Sequence, residues 1–299
     1  MARDSARRSP LTIPRSSCAM SMLMAALVLA FGPRLYLPWR VGICPARAPK
    51  AANMRPADMR LFHPLTLAVP LALSLALSTA QAQDSRSAYD VRLLGVPVGQ
   101  MQLAAREGGG GYGVSAAFAT TGLANIARAS FRLAATGRMT DRGLAPATYD
   151  EQIDTGSRRS TVQLSYADGA PRITGGTVAA KVANDPEALD PAAQKGSVDP
   201  LTALYGVLRD RPAEGICRYS VIIFDGARRA SLAMSARQAD GGRVTCSGAY
   251  TRLAGFSASE MARQTVYPFS VTYIPAGKVM QAQALTVRSG YGAAELTRR

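Results

Sequence analysis

The sequence predicts a mainly β protein built on a single curved antiparallel sheet of about ten to twelve strands, an open or half barrel with one or two short helices. Three observations predict this fold class. Apolar and polar residues alternate with a period of two along many short segments. Turn signals such as Asp168-Gly169 and Asp240-Gly241-Gly242 separate those segments. A single segment carries a convincing helical pattern.

The first half of the chain contributes four clear alternating segments, and Gly108 to Gly111 forms a flexible hairpin connection after the second. Their apolar positions are Tyr89, Val91 and Leu93; Met101, Leu103 and Ala105; Phe131, Leu133 and Ala135; and Val162, Leu164 and Tyr166. Because successive side chains of a strand point to opposite faces, each segment can bury one face and leave the other in solvent.

The second half repeats the pattern. Its apolar positions are Cys217, Tyr219, Val221 and Ile223; Leu232, Met234 and Ala236; Val244, Cys246 and Tyr250; and Phe269, Val271 and Tyr273. Leu285 and Val287 begin a last predicted strand, which we expect to continue past Gly290 to Leu296.

The helix is predicted between the two halves. Asp199 is a suitable N-cap, Pro200 suits the first helical turn, and apolar residues recur at helical spacing. Those apolar residues are Leu201, Leu204, Tyr205 and Leu208. A second short helical piece is predicted over residues 122–128. Residues 175–196 are rich in Ala, Pro and Gly without a period, which predicts a loop.

The inward face of such a sheet is the candidate ligand surface. Many of its residues are small or middle-sized, so the interior is either a solid core or a concave groove. The candidate lining residues are Tyr89, Val91, Met101, Leu103, Leu164, Tyr166, Tyr219 and Val221.

A secretory signal peptide is predicted over residues 59–82. It has a basic start, an apolar stretch from Leu65 to Leu77 and the small-residue ending Ala80-Gln81-Ala82, so cleavage is expected before Gln83. Residues 1–58 are interpreted as an upstream extension of the gene model, with the true start at Met54 or Met59. The alternative, a membrane anchor over residues 20–37, is interrupted by Gly-Pro-Arg and is shorter than a spanning helix needs.

The expected mature chain, residues 83–299, is a single periplasmic β-rich domain without a stable membrane span. It carries 25 Lys and Arg against 18 Asp and Glu, a net charge of +7. The charges are scattered, which is typical of a solvated surface, with a mild preference for anionic lipid or glycan as the alternative. We expect no nucleic-acid partner outside the cytoplasm.

The only histidine, His63, falls in the predicted leader. A mature chain without histidine has no Ser-His-Asp or Cys-His site and lacks the commonest metal ligand. We therefore expect no catalytic residue, no metal and no cofactor.

Cys217 and Cys246 are the cysteines left after the leader, and two cysteines in an exported chain most often form a disulfide. Both occupy inward positions of predicted strands. Two separate buried thiols remain the alternative. A redox-active pair is disfavoured because the Cys-x-x-Cys spacing is missing.

Several short motifs occur together in a fixed order. Tyr89-Asp90-Val91 and Val98-Gly99 come first, and Asp199-Pro200-Leu201 opens the helix; Ile222 to Arg229, Cys246 to Tyr250, Leu253-Ala254-Gly255 and Pro268 to Ile274 follow. In this order and spacing the chain resembles the bacterial exported family known as domain of unknown function 3108. The resemblance implies an exported protein without an assigned reaction. That family is similar in architecture to the half-barrels of outer-membrane lipoprotein carriers, which hold acyl chains on a concave apolar face.

Asp150, Glu151 and Asp154 form the one tight acidic cluster, and paired carboxylates can hydrolyse glycosides. In a strand, however, Glu151 points away from the other two, and the nearby turn favours a solvated rim. Asp225 is likewise interpreted as a turn residue rather than an acid catalyst.

Four functions follow from these observations. The first is a non-catalytic periplasmic envelope protein that binds a lipid, a lipoprotein acyl chain or an apolar peptide on the concave face. The second is a structural or interaction protein that supports envelope assembly through a protein partner. A carboxylate-based peptidoglycan hydrolase is third. An outer-membrane barrel is last, because Arg92, Arg132 and Gln163 would face lipid at the midplane.

Overall fold

The computed structural model describes residues 83–122, 128–156, 159–290 and 292–299, with the backbone alone at residue 181. It contains thirteen strands in these ranges. The strands are β1 Gln83–Leu93, β2 Val96–Gly108, β3 Gly111–Thr120, β4 Ser130–Thr140, β5 Gly143–Asp154, β6 Arg159–Ala167, β7 Ala170–Gly175, β8 Ser220–Phe224, β9 Arg229–Asp240, β10 Arg243–Ala254, β11 Val266–Ala276, β12 Val279–Ser289 and β13 Gly292–Arg298. The helices are α1 Thr177–Val182, α2 Pro200–Leu208 and α3 Ala258–Arg263, with a 3-10 turn over Pro191–Gln194.

All thirteen strands form one antiparallel sheet, so the predicted fold class is confirmed. The sheet order is β7-β6-β5-β4-β3-β2-β1-β13-β12-β11-β10-β9-β8. Strands β1 to β7 and β8 to β13 each pair with their neighbours in the chain, and β1 pairs with β13 to join the two halves. The sheet is nearly closed into a barrel, with β7 and β8 as its two edges.

The chain between the two edge strands covers the gap. Gly196 N donates a 2.8 Å hydrogen bond to Gly169 O in the β6–β7 turn. Val198 pairs in parallel with Ile223 of β8, and Phe224 N donates to Val198 O at 2.9 Å. This crossing segment, residues 189–198, holds the two edges together without direct pairing between them.

Curvature of the sheet is produced where bulges coincide with glycines. The β4–β5 register shifts between Thr136 and Gly137, and a Cβ at Gly137 would lie 2.6 Å from Cε1 of Tyr112. The β9–β10 register shifts beside Gly248, where Phe269 approaches in the same way. An aromatic ring covers the missing side chain at each bend, which allows the strands to turn the corners of a barrel.

The inward side chains form one continuous hydrophobic core, as the alternation predicts. Helix α2 lies inside it. All nine residues of the helix are buried, and the helix contacts β3, β4 and β5 on one wall and β8 and β12 on the other. The interior is therefore filled, which decides the question that the sequence left open.

Three sequence-based element assignments are wrong in detail. Residues 175–196 are not a plain loop, because α1 and the 3-10 turn lie within them. The final predicted strand is two strands, β12 and β13, and this raises the count above the expected ten to twelve. Cys217 and Tyr219 precede β8 rather than belonging to it. The helical piece predicted over 122–128 and the leader through residue 82 fall outside the described residues, except for Gly122 and Arg128.

Candidate functional site in the barrel interior

Helix α2 begins with a strong cap. Asp199 Oδ1 accepts from Thr202 N at 2.8 Å, and Asp199 Oδ2 accepts from Thr202 Oγ1 at 2.6 Å. Pro200 occupies the first helical turn, where its missing N–H has no intrahelical role. The cap satisfies the helix start inside the core, where water cannot do so.

Tyrosine hydroxyls attach α2 to the wall of the barrel. Tyr112 of β3 and Thr202 share a hydrogen bond of 2.8 Å between their hydroxyls. Tyr273 of β11 donates to Val207 O at 2.7 Å. From the helix itself, Tyr205 donates to Glu107 of β2 at 2.5 Å. These three bonds fix the helix at both ends and on both walls.

The exit of α2 is held covalently. Cys217 and Cys246 form a disulfide with a Cα–Cα distance of 5.3 Å, so the predicted pairing is confirmed. The bond joins the connection after α2 to β10 in the wall. Arg211 lies in the same connection, with its guanidinium 5.8 Å from the ring centroids of both Tyr219 and Tyr273.

The residues predicted to line a concave face do point inward. Tyr89, Val91, Met101, Leu103 and Leu164 are buried. The other three, Tyr166, Tyr219 and Val221, are partly buried and pack against the same core. The ring of Tyr219 lies directly against Gly206 of α2. These eight side chains therefore share the inward side of the sheet, and α2 packs on that side against β3, β4, β5, β8 and β12.

Three carboxyl groups are buried in the interior near the start of α2. They belong to Glu151, Asp199 and Asp225. Burial, together with the neighbouring Asp225 and Asp199 carboxylates, raises the pKa of Glu151 to about 8. Burial also raises the pKa of Asp199 to about 6, and that of Asp225 in the same direction. Glu151 is thus mainly protonated at neutral pH.

This finding corrects the interpretation of the acidic cluster as a solvated rim. Asp150 is exposed and Asp154 accepts from Gly156 N at 2.8 Å beside a turn, but Glu151 is only 3% exposed. Since β5 has one face in solvent and one in the core, Asp150 and Glu151 lie on opposite sides of the sheet. They do not form the paired carboxylates that glycoside hydrolysis needs.

Asp225 is a turn residue, as predicted, although a buried one. Its carboxylate accepts from Ala227 N at 3.1 Å and from Arg228 N at 2.9 Å. These bonds stabilise the turn between β8 and β9. The Asp-Gly pair predicts the turn, but nothing in the local sequence indicates that the Asp225 side chain is buried.

Tyr166 supplies a second polar feature of the interior. Its hydroxyl is buried and has no hydrogen-bond partner among the described residues. Burial and the nearby Asp199 carboxylate raise the pKa of Tyr166. The interior near the start of α2 therefore offers an unused hydroxyl and protonatable carboxyls within an apolar wall. Across the described ranges, no group of three or more metal-ligating side chains comes together.

The outer face carries a shallow groove of about 410 Å³ over β1 to β4. Its floor consists largely of small residues, among them Ala104, Gly113, Ser115 and Ala134. The Arg106–Asp84 ion pair, at 2.7 Å, borders it in solvent. Because no buried polar group points into this groove, the interior is the better candidate.

One feature of the sequence indicates this arrangement. Residues 200–208 read PLTALYGVL and are apolar on every side of a helix. A helix that is apolar all round is buried on all sides. Thr202 accepts or donates the hydrogen bond with Tyr112, and Glu107 accepts the bond from Tyr205. Nothing in the sequence around either residue predicts these contacts. In the part of the chain that the structure describes, no helix is both long and apolar enough for a membrane crossing.

A search of curated proteins and a search of solved structures each gave no match. A family model, however, matches residues 88–240, slightly more than half of the chain. The matched range runs from β1 to the end of β9 and includes α2 with its cap. The chain belongs to the family described as Protein of unknown function (DUF3108).

Proposed function

We propose that this protein is a non-catalytic periplasmic protein of the cell envelope that binds a lipid or acyl chain inside its barrel. In this proposal α2 occupies the ligand space when the barrel is empty and moves aside when the ligand enters. The position of α2, buried along its whole length in an apolar interior, is the observation that carries the proposal.

The size of the sheet supports it. An eight-stranded barrel is just wide enough for its own side chains to fill, and the interior widens with strand number. A sheet of thirteen strands encloses more space, and here a whole helix fills it. A helix with its side chains is about 10 Å across, which is ample for an extended acyl chain.

The attachments of α2 are compatible with movement. Besides the burial of its nine residues, three tyrosine hydrogen bonds hold it to the wall; the two neutral bonds contribute about 1 kcal/mol each and the bond to the Glu107 carboxylate about 1.5–3 kcal/mol. The disulfide lies in the connection after the helix and leaves α2 itself without a covalent link to the wall. The edges β7 and β8 are joined through the crossing segment instead of a continuous ladder. Opening the barrel at this gap therefore breaks few backbone hydrogen bonds.

The disulfide supports the envelope assignment. The signal-peptide pattern lies outside the described residues, but the Cys217–Cys246 disulfide is typical of an oxidising compartment. The absence of histidine after residue 63 and the opposite directions of Asp150 and Glu151 favour binding over catalysis.

The first test is direct. Protein produced from the full-length chain is recovered from the periplasm, extracted with organic solvent and examined by mass spectrometry for lipids. A fluorescent fatty acid, cis-parinaric acid, is then titrated into the delipidated protein. We expect recovered lipid and saturable fluorescence with one site.

A matched pair of variants tests the role of α2. Thr202→Val removes the hydroxyl that bonds both Tyr112 and Asp199, so it loosens the helix. We expect it to bind the probe roughly tenfold more tightly than the wild type, because less work is needed to displace α2. Thr136→Val removes a hydroxyl pair with Thr148 on the exposed face and should leave probe binding unchanged. Absence of both lipid and probe binding in wild type and in Thr202→Val would contradict the proposal.

A structural or interaction role in envelope assembly is the second candidate. The observation that favours it is the same filled interior, because a solid core leaves the outer surface as the place of contact. Crosslinking in cells separates the two candidates. Recovery of one protein partner without lipid would support the second.

A further inference from the structure

Exposed apolar side chains are concentrated at one end of the barrel. Among the described residues, the exposed large apolar ones are Leu94 at 62%, Val96 at 60%, Val266 at 47% and Leu253 at 42%. Leu94 and Val96 belong to the β1–β2 hairpin. Leu253 and Val266 flank the connection between β10 and β11. We call these four residues the apolar rim.

The two parts of the apolar rim lie on the same end of five neighbouring strands, with the β12–β13 turn between them. Leu94 N donates to Ala293 O of β13 at 2.9 Å. In the turn after β12, Gly290 N donates to Gln264 Oε1 at 2.9 Å. Gln264 is two residues before Val266, so this bond connects the β12–β13 turn to the start of β11. Strands β1, β13, β12, β11 and β10 are consecutive in the sheet, so at about 4.8 Å per strand the rim spans about 20 Å.

Leu94 is an unexpected residue for its position. It has a φ of 53° and Gly95 a φ of 79°, the left-handed pair of a two-residue hairpin. Such turns favour Asn, Asp or Gly at the first position, and a leucine there is disfavoured. The leucine does not suit the turn and does not enter the core: its side chain lies against Gly292 of β13 and is 62% exposed.

The opposite end of the barrel provides the comparison. Its β6–β7 hairpin has the same geometry, with φ of 51° at Asp168 and 75° at Gly169, and carries the residues such a turn prefers. The β9–β10 turn at that end is Gly241-Gly242. The apolar residues are thus specific to one end and not a general property of the turns.

Positive charge accompanies the apolar rim. Segments 92–97, 252–266 and 286–295 together carry four arginines and two glutamates. Arg92, Arg263 and Arg288 are exposed and form no ion pair with another described residue. Exposed apolar side chains beside arginines without a carboxylate partner match the chemistry of a bilayer surface with anionic headgroups.

We infer that the apolar rim docks this protein onto an anionic membrane surface, with Leu94 and Val96 entering the headgroup region and the three arginines facing lipid phosphates. Contact of this kind is peripheral and reversible, because four shallow apolar side chains do not anchor a protein permanently. The inference does not depend on ligand binding inside the barrel, because the apolar rim would dock in the same way if the interior held no ligand.

The test uses protein produced from the full-length chain and sedimentation with vesicles. One set contains phosphatidylcholine with about a third phosphatidylglycerol, and the other contains phosphatidylcholine alone. We expect binding to the anionic vesicles, weaker binding to the neutral ones, and a loss of binding as salt screens the arginines.

Leu94→Asn is the decisive variant. Asparagine suits the left-handed position better than leucine, so the melting temperature should stay the same or rise. Vesicle affinity should nevertheless fall roughly tenfold, because the most exposed apolar side chain is gone. A packing role for Leu94 would instead lower the melting temperature and leave vesicle binding unchanged.

A matched control places a leucine in the same kind of turn at the other end. If exposed hydrophobicity alone caused binding, Asp168→Leu added to Leu94→Asn would restore it. The docking proposal expects the double variant to remain as weak as Leu94→Asn. Equal binding of wild type and Leu94→Asn, no binding of wild type to anionic vesicles at low salt, or restoration by Asp168→Leu would each overturn the inference.

Discussion

Tyr149 donates a 2.5 Å hydrogen bond to Oε2 of Glu151, two residues further along the same strand, and both side chains are buried. The pair lies on the inward face of β5, within the electrostatic reach of Asp199 and Asp225. A carboxyl group in this position is stable only if it holds a proton or finds strong donors. The protonation of Glu151 should therefore make the stability of the barrel interior depend on pH.

The first prediction concerns stability against pH. The pKa of Glu151 is about 8 in the folded protein and near 4.5 in a model compound. Because the folded state keeps a proton that the unfolded state has lost, stability should fall as pH rises from about 4.5 to 8 and then level off. Glu151→Gln should remove this part of the slope, on the order of a few kcal/mol. Urea unfolding at a series of pH values measures it.

The control for this experiment is Asp150→Asn, which changes the neighbouring carboxyl on the solvent face. It should keep the slope of the wild type. If Glu151→Gln and the wild type lost stability in parallel between pH 5 and 8, the proposed protonation of Glu151 would be wrong.

The second prediction concerns the disulfide. Cys217 and Cys246 are separated by 29 residues, and a loop of that length stabilises a fold by ~3–4 kcal/mol in the chain-entropy model. The Cys217→Ala/Cys246→Ala variant should lose about that much free energy of unfolding. Reduction should lower wild-type stability to the level of the variant and leave the variant unchanged. A variant as stable as the oxidised wild type would argue against this role.

The third prediction concerns the packing of α2 on the wall. A Cβ added at Gly206 would lie 2.0 Å from the hydroxyl oxygen of Tyr219. Alanine is otherwise favoured over glycine in a helix by about 1 kcal/mol, but here the collision should dominate. We expect Gly206→Ala to destabilise the protein by about 2–3 kcal/mol.

Two further variants check that explanation. Gly113→Ala, where an added Cβ meets nothing within 4 Å, should be neutral or slightly stabilising. In a double-mutant cycle with Tyr219→Ala, the combined loss should be smaller than the sum of the single losses. Strict additivity would show that Tyr219 is not the obstacle.

The fourth prediction concerns α3. The guanidinium groups of Arg228 and Arg252 lie over the ring of Phe256, at 5.1 and 5.0 Å from its centroid. Phe256→Leu keeps the apolar volume but removes the ring, so stability should fall by about 1–2 kcal/mol. Amide exchange over residues 257–265 should accelerate. Arg263→Gln, exposed on the same helix, should change neither quantity.

The fold was largely predictable because it depends on periodicity. Val162, Leu164 and Tyr166 alternate with polar residues and do face the interior. Asp199 and Pro200 marked the start of the buried helix, since capping is a local property. The boundary between β12 and β13, at residues 290–292, was harder to predict, because a Gly-x-Gly sequence is compatible with a bulge inside one strand as well as with a turn between two.

The interior of the site was not predictable from local patterns. Glu151 looks like a solvent residue in sequence, and only the sheet closing around it shows that it is buried. The bond from Tyr205 to Glu107 joins residues 98 apart, and no local rule relates them. Likewise, Cys217 lies outside any strand, so its assignment to a strand was wrong, but its predicted disulfide with Cys246 of β10 is confirmed.

The pairing of β1 with β13 has a consequence for how the chain is made. Val91 pairs with Leu296, so β1, which is synthesised early, pairs with the much later β13. Until β13 has been synthesised, one long edge of β1 has free amide and carbonyl groups, which can pair with other chains. Contacts this distant in sequence also form slowly. The molecule should therefore be most prone to aggregation before its final strand arrives, and truncation at the C-terminus should harm solubility more than any substitution within β13.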